Sequence, residues 1–438
     1  MHKKNSTSYY KKLTFLLYVF LIAGYHNSAS AFFQDTQIQS DSTYNEYKGT
    51  VVDIATNTPL APATISLDGT NISTITNDDG KFLIKVPTSI KDGKLTVSFL
   101  GYSDKTISLS SFGDTTSKNG NIKIKLELSV TELSEITIDP TNPETIIKAV
   151  MKNRGANYLD DHTIMTAFYR ETIKKRRTYV SLSEAVVDVY KNPYISSKND
   201  VIKLYRARKS TDYKKLDTLT LKLQGGPSST LYIDVMKNPE LLFTENMLKT
   251  YQFSFAKSTR INDRYIYVLD FKQRPFIDEL LYYGKVYIDS ETLAMTKAVF
   301  SLNLTNKEKA SKLFVRKKPA RATVYPTVAT YNIDYREKNG KWYYGYGRID
   351  LAFKVNWKKK LFNSTYKLNI EMAVTDWKKN IEDSNLKFRD QLKSSVVISD
   401  EASGFSDPSF WGQYNVIEPE KSIESAIQKI QKQLKKMN

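Results

Sequence analysis

Acid–base catalysis and transition-metal binding most often draw on histidine. The chain holds three, and only His162 lies beyond the first thirty residues. It stands beside Asp160 and Asp161, which reads as a polar surface loop rather than a site. Ser-x-x-Lys strings include Ser254-Phe255-Ala256-Lys257 and Ser364-Thr365-Tyr366-Lys367. A catalytic pair of that kind needs a helix, where Ser and Lys share a face one turn apart. Both strings lie in strand-like sequence, where positions three apart point to opposite faces. Asp78 and Asp79 lack the acidic loop that six to eight calcium-ligating oxygens would require, and turn chemistry accounts for them. No His-Glu-x-x-His helix, phosphate-cradling Gly loop or Gly-x-Ser-x-Gly elbow is present. Carboxylate pairs for glycoside cleavage meet only in space and cannot be read from a sequence. The expectation is therefore no catalytic residue, no metal site and no cofactor.

Two groups of candidates for binding remain. Lys174, Lys175, Arg176 and Arg177 fall between two strands, and Arg316, Lys317, Lys318 and Arg321 fall in a proline-containing loop. Trp357 followed by Lys358, Lys359 and Lys360 sets an aromatic beside cations. Such clusters suit phosphate or carboxylate groups. They also suit solvated loops that keep sheet edges from aggregating. Tyr265, Tyr267 and Tyr287 are candidate groove aromatics, because tyrosine joins an apolar body to a polar tip. The plainer alternative is ordinary cross-strand packing.

The elements that must position these residues are mostly strands. Of 438 residues, 12% are aromatic, with 29 Tyr and 20 Phe, a composition that favours pleated surfaces. Lys3, Lys4, Lys11 and Lys12, the apolar run Leu13 to Ala23 and the small residues Ala29-Ser30-Ala31 have the layout of a secretory signal. A mature start at Phe32 is expected. With no cysteine in the chain there is no thiol for disulfides, thiolate metal sites or an N-terminal lipid. The formal charge is +18, and removal of the four leader lysines leaves +14. For an exported protein this points to anionic headgroups, lipopolysaccharide or acidic glycans rather than nucleic acid. A basic surface that is merely solvated is equally consistent.

Residues 32–45 read as a flexible polar lead. From Tyr47 short apolar runs alternate with turns. Strands are expected at Lys48 to Asp53, Ala63 to Leu67, Ile72 to Thr76, Lys81 to Val86, Leu95 to Leu100, Thr106 to Leu109 and Ile122 to Leu128, with Asn77-Asp78-Asp79-Gly80 forming a hairpin turn. The series Gly49-Thr50-Val51, Pro59 to Ile65, Thr76 to Phe82 and Val97 to Tyr102 resembles the carboxypeptidase regulatory-like domain. That resemblance implies a prealbumin-like sandwich of about seven strands, a kind of domain common at the N-terminus of outer-membrane receptors in Bacteroidota. It implies no peptidase activity, since the zinc-binding His and Glu of the catalytic domain have no counterpart.

Leu133 to Ile138 resembles the short strand that often follows such a domain. A linker helix is expected next, with Asn142 as N-cap, Pro143 at the first helical position, Ile146, Ile147, Val150 and Met151 on one face, and Gly155 as its stop. From Thr163 to Trp377 alternating strands predict one large antiparallel sheet, with Asn339-Gly340 as a tight hairpin turn and a short helix opened by Asn238-Pro239-Glu240. Ala167 to Glu171 and Gly284-Lys285-Val286-Tyr287-Ile288-Asp289 followed by Thr292 resemble the soluble periplasmic region of a larger, barrel-bearing Bacteroidota envelope family. The Gly-x-Val-x-Ile-Asp pattern also resembles the lipoprotein-carrier fold, which implies a curved sheet around a helix with an apolar concave face. Phe410-Trp411 reads as a hydrophobic anchor. Pro419 and Glu420 open a final helix whose apolar face is Ile423, Ala426, Ile427, Ile430 and Leu434. That helix either closes the open side of the sheet, the favoured reading, or lies on a membrane surface, its lysines Lys429, Lys432, Lys435 and Lys436 clustering at its C-terminal end.

The expectation is a mainly β protein: signal peptide 1–31, lead 32–45, sandwich 46–130, linker strand and helix 131–160, large antiparallel domain 161–400, and tail 401–438. Its expected role is that of a non-enzymatic periplasmic binding or assembly protein, possessing an envelope protein, lipid or glycan as partner, and an anionic membrane surface as a further candidate. An outer-membrane β-barrel component and a carbohydrate-active hydrolase are the alternatives. Oligomeric state is not legible.

Overall fold

The computed structural model describes residues 19–22, 44–113, 121–129, 142–211, 220–223, 225–261, 264–318, 320–358, 363–381, 386–404, 410–425 and 427–428. Most of the leader and lead, the expected strand Leu133 to Ile138, and Lys359, Lys360, Ala426 and the lysines beyond Gln428 lie outside this set. Within the leader, β1 (Val19–Ile22) runs antiparallel to β12 (Thr220–Leu223) and parallel to β17 (Val315–Lys317).

Seven strands build the N-terminal sandwich: β2 (Tyr44–Asp53), β3 (Thr64–Leu67), β4 (Ser73–Ile75), β5 (Lys81–Pro87), β6 (Lys94–Ser98), β7 (Lys105–Ser108) and β8 (Asn121–Leu126). They form two sheets, ordered β5-β2-β8 and β4-β3-β6-β7. Every second residue of the long strands faces inward, so that Ile65, Leu67, Leu95 and Val97 meet Val51, Ile84, Val86 and Ile124 in one core. The Asn77–Gly80 turn is not the expected hairpin. Strand β4 pairs with β3 and β5 pairs with β2, so the turn carries the chain from one sheet to the other. A turn signal records a chain reversal but not which partners the flanking strands take. The turn chemistry itself is as expected: the Asn77 side-chain oxygen accepts from the Asp79 and Lys81 amides, both at 3.0 Å. Gly80 has φ +73°, and a Cβ there would sit 2.6 Å from the Val51 carbonyl oxygen.

The second unit is an eleven-stranded sheet. Its strands are β9 (Thr163–Lys175), β10 (Thr178–Lys191), β11 (Val201–Thr211), β13 (Tyr251–Ile261), β14 (Arg264–Gln273), β15 (Tyr282–Asp289), β16 (Met295–Leu302), β18 (Ala322–Lys338), β19 (Lys341–Trp357), β20 (Ser364–Lys379) and the two-residue β21 (Ser403–Gly404). The order is β13-β14-β15-β16-β18-β19-β20-β9-β10-β11-β21, antiparallel except at β21. The first strand of the unit, β9, thus sits mid-sheet beside the last long strand, β20. Asn339 and Gly340, at φ +53° and +77°, form the two-residue turn between β18 and β19.

Both faces of the central strands are buried. On the inner face Ala167, Tyr169, Ala185, Val187, Met372 and Val374 join the largest core. On the outer face Phe168, Val186, Tyr346 and Ala373 pack against Ile75 of the sandwich and Trp411, Val416 and Ile417 of the tail. The expected apolar inner face exists, and the chain fills it with its own helices. These are α1 (Pro143–Lys152), the stretch from α3 (Pro227–Tyr232) to α4 (Glu245–Leu248), and α5 (Lys307–Phe314). Helix α1 starts where its caps predict, the Asn142 side chain accepting from the Glu144 amide at 2.8 Å. It ends at Asn153, two residues short of Gly155, which falls in the single turn α2 (Arg154–Asn157). Ile146, Ile147 and Val150 belong to the sheet's core, so α1 is part of that unit as well as a connection.

The tail cements the two units. Asn415 accepts from the Lys85 amide at 2.6 Å and Thr74 donates to the Val416 carbonyl at 3.2 Å. Asn77 donates to the Glu418 carbonyl at 3.0 Å. Trp411 lies edge-on against Phe168 at 5.4 Å, as an anchor should. The last helix, described at 421–425 and 427–428, buries Ile423 against Leu182 with Ile427 beside it. That is the arrangement in which the helix closes onto the sheet. Among the described residues no helix is long and apolar enough to cross a membrane.

Candidate binding cleft

A cleft of about 790 Å³ opens beside the start of β11, away from its β21 pairing. One wall is Ile202 of β11, a second is Leu231 and Tyr232 of α3, and the third is the segment 388–395, with Leu392. That segment is strapped along the sheet edge: the Leu392 amide donates to the Ile202 carbonyl at 2.7 Å, and the Gly225 amide to Val396 at 2.9 Å. Apolar side chains thus face polar ones across one space, the cations Lys237, Arg389 and Lys393 together with Asn238 and the carboxylates Asp200 and Glu240.

The polar end is set by a buried ionic cluster. Lys191, at the end of β10, is fully buried and meets Asp200 at 2.7 Å and Asp234 at 3.1 Å. Tyr335 donates to Asp234 at 2.8 Å. Burial pulls the Lys191 ammonium down, but Asp200 and Asp234 overcome it and hold the group above the usual lysine range. Lys237 differs. Its ammonium donates to the carbonyls of Pro193 at 2.8 Å and Ser196 at 2.9 Å, and burial lowers its pKa to about 8 despite the nearby Asp200. A half-desolvated cation held by neutral carbonyls gains from an anion placed beside it.

A second cluster lies on the outer face. Arg170 of β9 reaches Glu184 at 2.7 Å, Glu371 at 3.5 Å and the Ile417 carbonyl at 2.6 Å. Arg208 takes the other oxygen of Glu184 at 2.8 Å, and Tyr346 donates to Glu371 at 3.1 Å. Burial raises the Glu184 carboxyl, and Arg170 and Arg208 reverse this to leave it lowered; at Glu371 burial wins. Each cation here has a carboxylate and each is sealed under the tail. Sequence reasoning missed both clusters, because residues from six strands, two loops and the tail build them and no local spacing marks them. The one hint was Tyr169-Arg170-Glu171, a string of charges amid apolar strand.

The positions singled out in the sequence are dispersed. Tyr265 and Tyr267 share the inner face with Leu269 and stack edge-on at 5.6 Å. Tyr287 is paired with Val268 and so lies on the opposite face. The three aromatics therefore do not line one groove, since a sheet separates them. Lys174, Lys175, Arg176 and Arg177 form the β9–β10 turn, Arg176 with φ +56°. Lys174 lies over the Tyr179 ring at 4.2 Å. Arg316 and Lys317 are in β17, their side chains outside the described set; Lys318 donates to the Ala322 carbonyl at 2.7 Å, and Arg321 is exposed. The Ser-x-x-Lys strings at Ser254 and Ser364 fall in strands, β13 and β20. Asp78 pairs with Arg348 at 2.7 Å, and Asp79 accepts from the Lys421 amide at 3.0 Å, so both serve unit-to-unit contacts. The Gly284–Asp289 motif is structural. A Cβ on Gly284 would meet the Val299 carbonyl oxygen at 2.1 Å, and Asp289 accepts from the amides of Glu291 and Thr292 to close the next turn. A crevice of about 550 Å³ between sandwich and sheet contains Asp289, Asp334 and Glu337, with Lys297 on Asp334 at 2.6 Å and Arg264 on Glu337 at 3.3 Å.

Comparison with known proteins bears on the sandwich first. Residues 47–138 match the CarboxypepD_reg-like domain. No curated protein matches the chain. Among solved structures, lipovitellin is 8% identical over 57% of this chain, with a TM-score of 0.26, and the likeness spans 28% of the lipovitellin chain. A DUF1329 family protein from Desulfovibrio piger is 9% identical over 56% of this chain and 95% of its own, with a TM-score of 0.23. A LolA superfamily protein from Nitrosomonas europaea is 8% identical over 57% of this chain and 99% of its own, with a TM-score of 0.19. Scores this low carry no functional argument.

Proposed function

We propose that this is a non-enzymatic binding or assembly protein of the cell envelope, exported by its leader, and that the cleft beside β11 holds an amphiphilic ligand. The observation that carries this reading is the cleft's division into an apolar wall and the Lys237 ammonium, which donates to the carbonyls of Pro193 and Ser196. An acyl chain against Ile202, Leu231, Tyr232 and Leu392 with an anionic head at Lys237 would satisfy both halves. The Arg170 and Lys191 clusters, by contrast, are closed ion-pair networks, suited to holding strands in place.

Mass spectrometry of organic extracts from the natively purified protein should find a co-purifying lipid. A fluorescent fatty acid should bind the wild type at least tenfold more tightly than Leu392→Lys, which places a cation on the apolar wall. A protein that arrives empty and binds the probe no better than that variant rules the cleft out. Intact mass of the native protein should correspond to a start at Phe32; a chain retaining residues 1–31 would overturn export with cleavage.

A further inference from the structure

The strand order brings five strand ends to one rim of the large sheet. Ala322 pairs with Trp357, Val355 with Ser364, Tyr366 with Lys175, and Lys175 with Thr178. Four strand spacings make this row about 19 Å long. Helix α5 extends it, Ser311 donating to the Val324 carbonyl at 2.7 Å. The β14–β15 turn adjoins α5, because Lys309 bonds Asp278.

This rim differs from the opposite one in charge. On the opposite rim three cations are matched with carboxylates: Lys341 with Asp160 at 3.1 Å, Lys379 with Asp161 at 2.5 Å, Arg264 with Glu337 at 3.3 Å. Here Arg176, Arg177, Arg321 and Lys358 are exposed, and no carboxylate among the described residues pairs with them. The acids nearby are Glu308 and Asp278, held by Lys312 and Lys309, with Glu279 in the same turn and Glu420 and Glu424 on the tail helix. Two aromatics stand on the same rim. Trp357 is half-buried beside Lys358, and Phe276, at the tip of the β14–β15 turn, is fully exposed.

We propose that this rim docks the protein on an anionic phospholipid surface. A group of exposed guanidinium and ammonium groups along one rim fits a surface of phosphates. A bare phenylalanine beside it fits the headgroup boundary, where aromatic and apolar side chains lie with cations around them. The surface is separate from the cleft beside β11, and either can exist without the other.

The test is co-sedimentation of the full chain with vesicles of phosphatidylcholine alone or mixed with phosphatidylglycerol. Binding should require phosphatidylglycerol and weaken with added salt. Arg176→Glu, Arg177→Glu, Arg321→Glu and Lys358→Glu together should lower binding at least tenfold. The same charge change placed elsewhere, at Lys91, Lys123, Lys125 and Lys203, should change it less than about twofold. Phe276→Ser should weaken binding several-fold without altering the melting temperature. Glutamine replacements at the four rim positions, which avoid new repulsion, should reproduce the loss in a chain of wild-type melting temperature. Equal binding to both vesicle types overturns the proposal, as does equal loss from the two charge-reversal sets. Tighter binding to polyglutamate or to DNA than to the vesicles also overturns it, by replacing the lipid with a different anionic partner.

Discussion

Arg170 shows what a single residue does in this fold. Its guanidinium is buried with Glu184 and Glu371 under the Ile417 carbonyl. Taking such groups out of water is costly, and the network stands because every partner is present. Arg170→Met should destabilise the protein by about 3 kcal/mol, since it removes a buried cation from two buried carboxylates and leaves Glu184 with Arg208 and Glu371 with Tyr346; denaturant midpoints at constant slope would measure this, and a loss under about 1 kcal/mol would contradict it. Glu171, the next residue, points to the inner face and accepts from Tyr169 at 2.9 Å. Burial raises its pKa to about 7. The folded state therefore holds a proton that the unfolded chain, ionising near 4.5, has released. Stability contributed by this group is full below pH 4.5, falls as pH rises toward 7, and stays reduced above it. Glu171→Gln should flatten that decline and, above neutral pH, stabilise by up to about 3 kcal/mol. Unchanged pH dependence of the melting temperature would contradict this assignment.

At the scale of elements, close approach and wedging decide more than propensity. Gly284 of β15 lies against β16 so closely that Gly284→Ala should cost at least about 1–3 kcal/mol, because the added methyl meets the Val299 carbonyl and backbone must move. The tail segment 410–425 is a wedge between the units, joined by hydrogen bonds to both. Truncation after Gly404 should expose Phe168, Ile75 and Ala373 and free the sandwich. Limited proteolysis should then release the sandwich as a fragment. Full-length and truncated chains cut at equal rates would show that the tail does not hold the units together.

In the molecule as a whole, the large sheet is an internal layer rather than an open trough. Helices and the 227–248 stretch occupy one face, and the sandwich and tail occupy the other. Three features lie at the sheet's margins: the cleft beside β11, the crevice between the units, and the basic rim. Because sandwich, tail and sheet share one buried cluster, the intact chain should unfold in a single calorimetric transition, and the chain truncated after Gly404 in two. Two transitions in the intact chain would mean that the shared cluster contributes little.

What the amino-acid order determined by itself was local. Asn142 and Pro143 set the start of α1, Asn339-Gly340 set one turn, and alternation placed all seven sandwich strands, because each depends on residues within a few positions of one another. Tertiary structure alone decided which strands pair and what faces what. Asn77–Gly80 reads as a hairpin until β4 and β5 are seen in different sheets. Tyr267 and Tyr287 read as companions until their register puts them on opposite faces. Arg170 finds Glu371 across 201 positions, and the basic rim gathers the β9–β10 turn, the start of β18 and the end of β19. Sequence spacing carries no record of such meetings, which are fixed by the burial of both faces of one sheet at once.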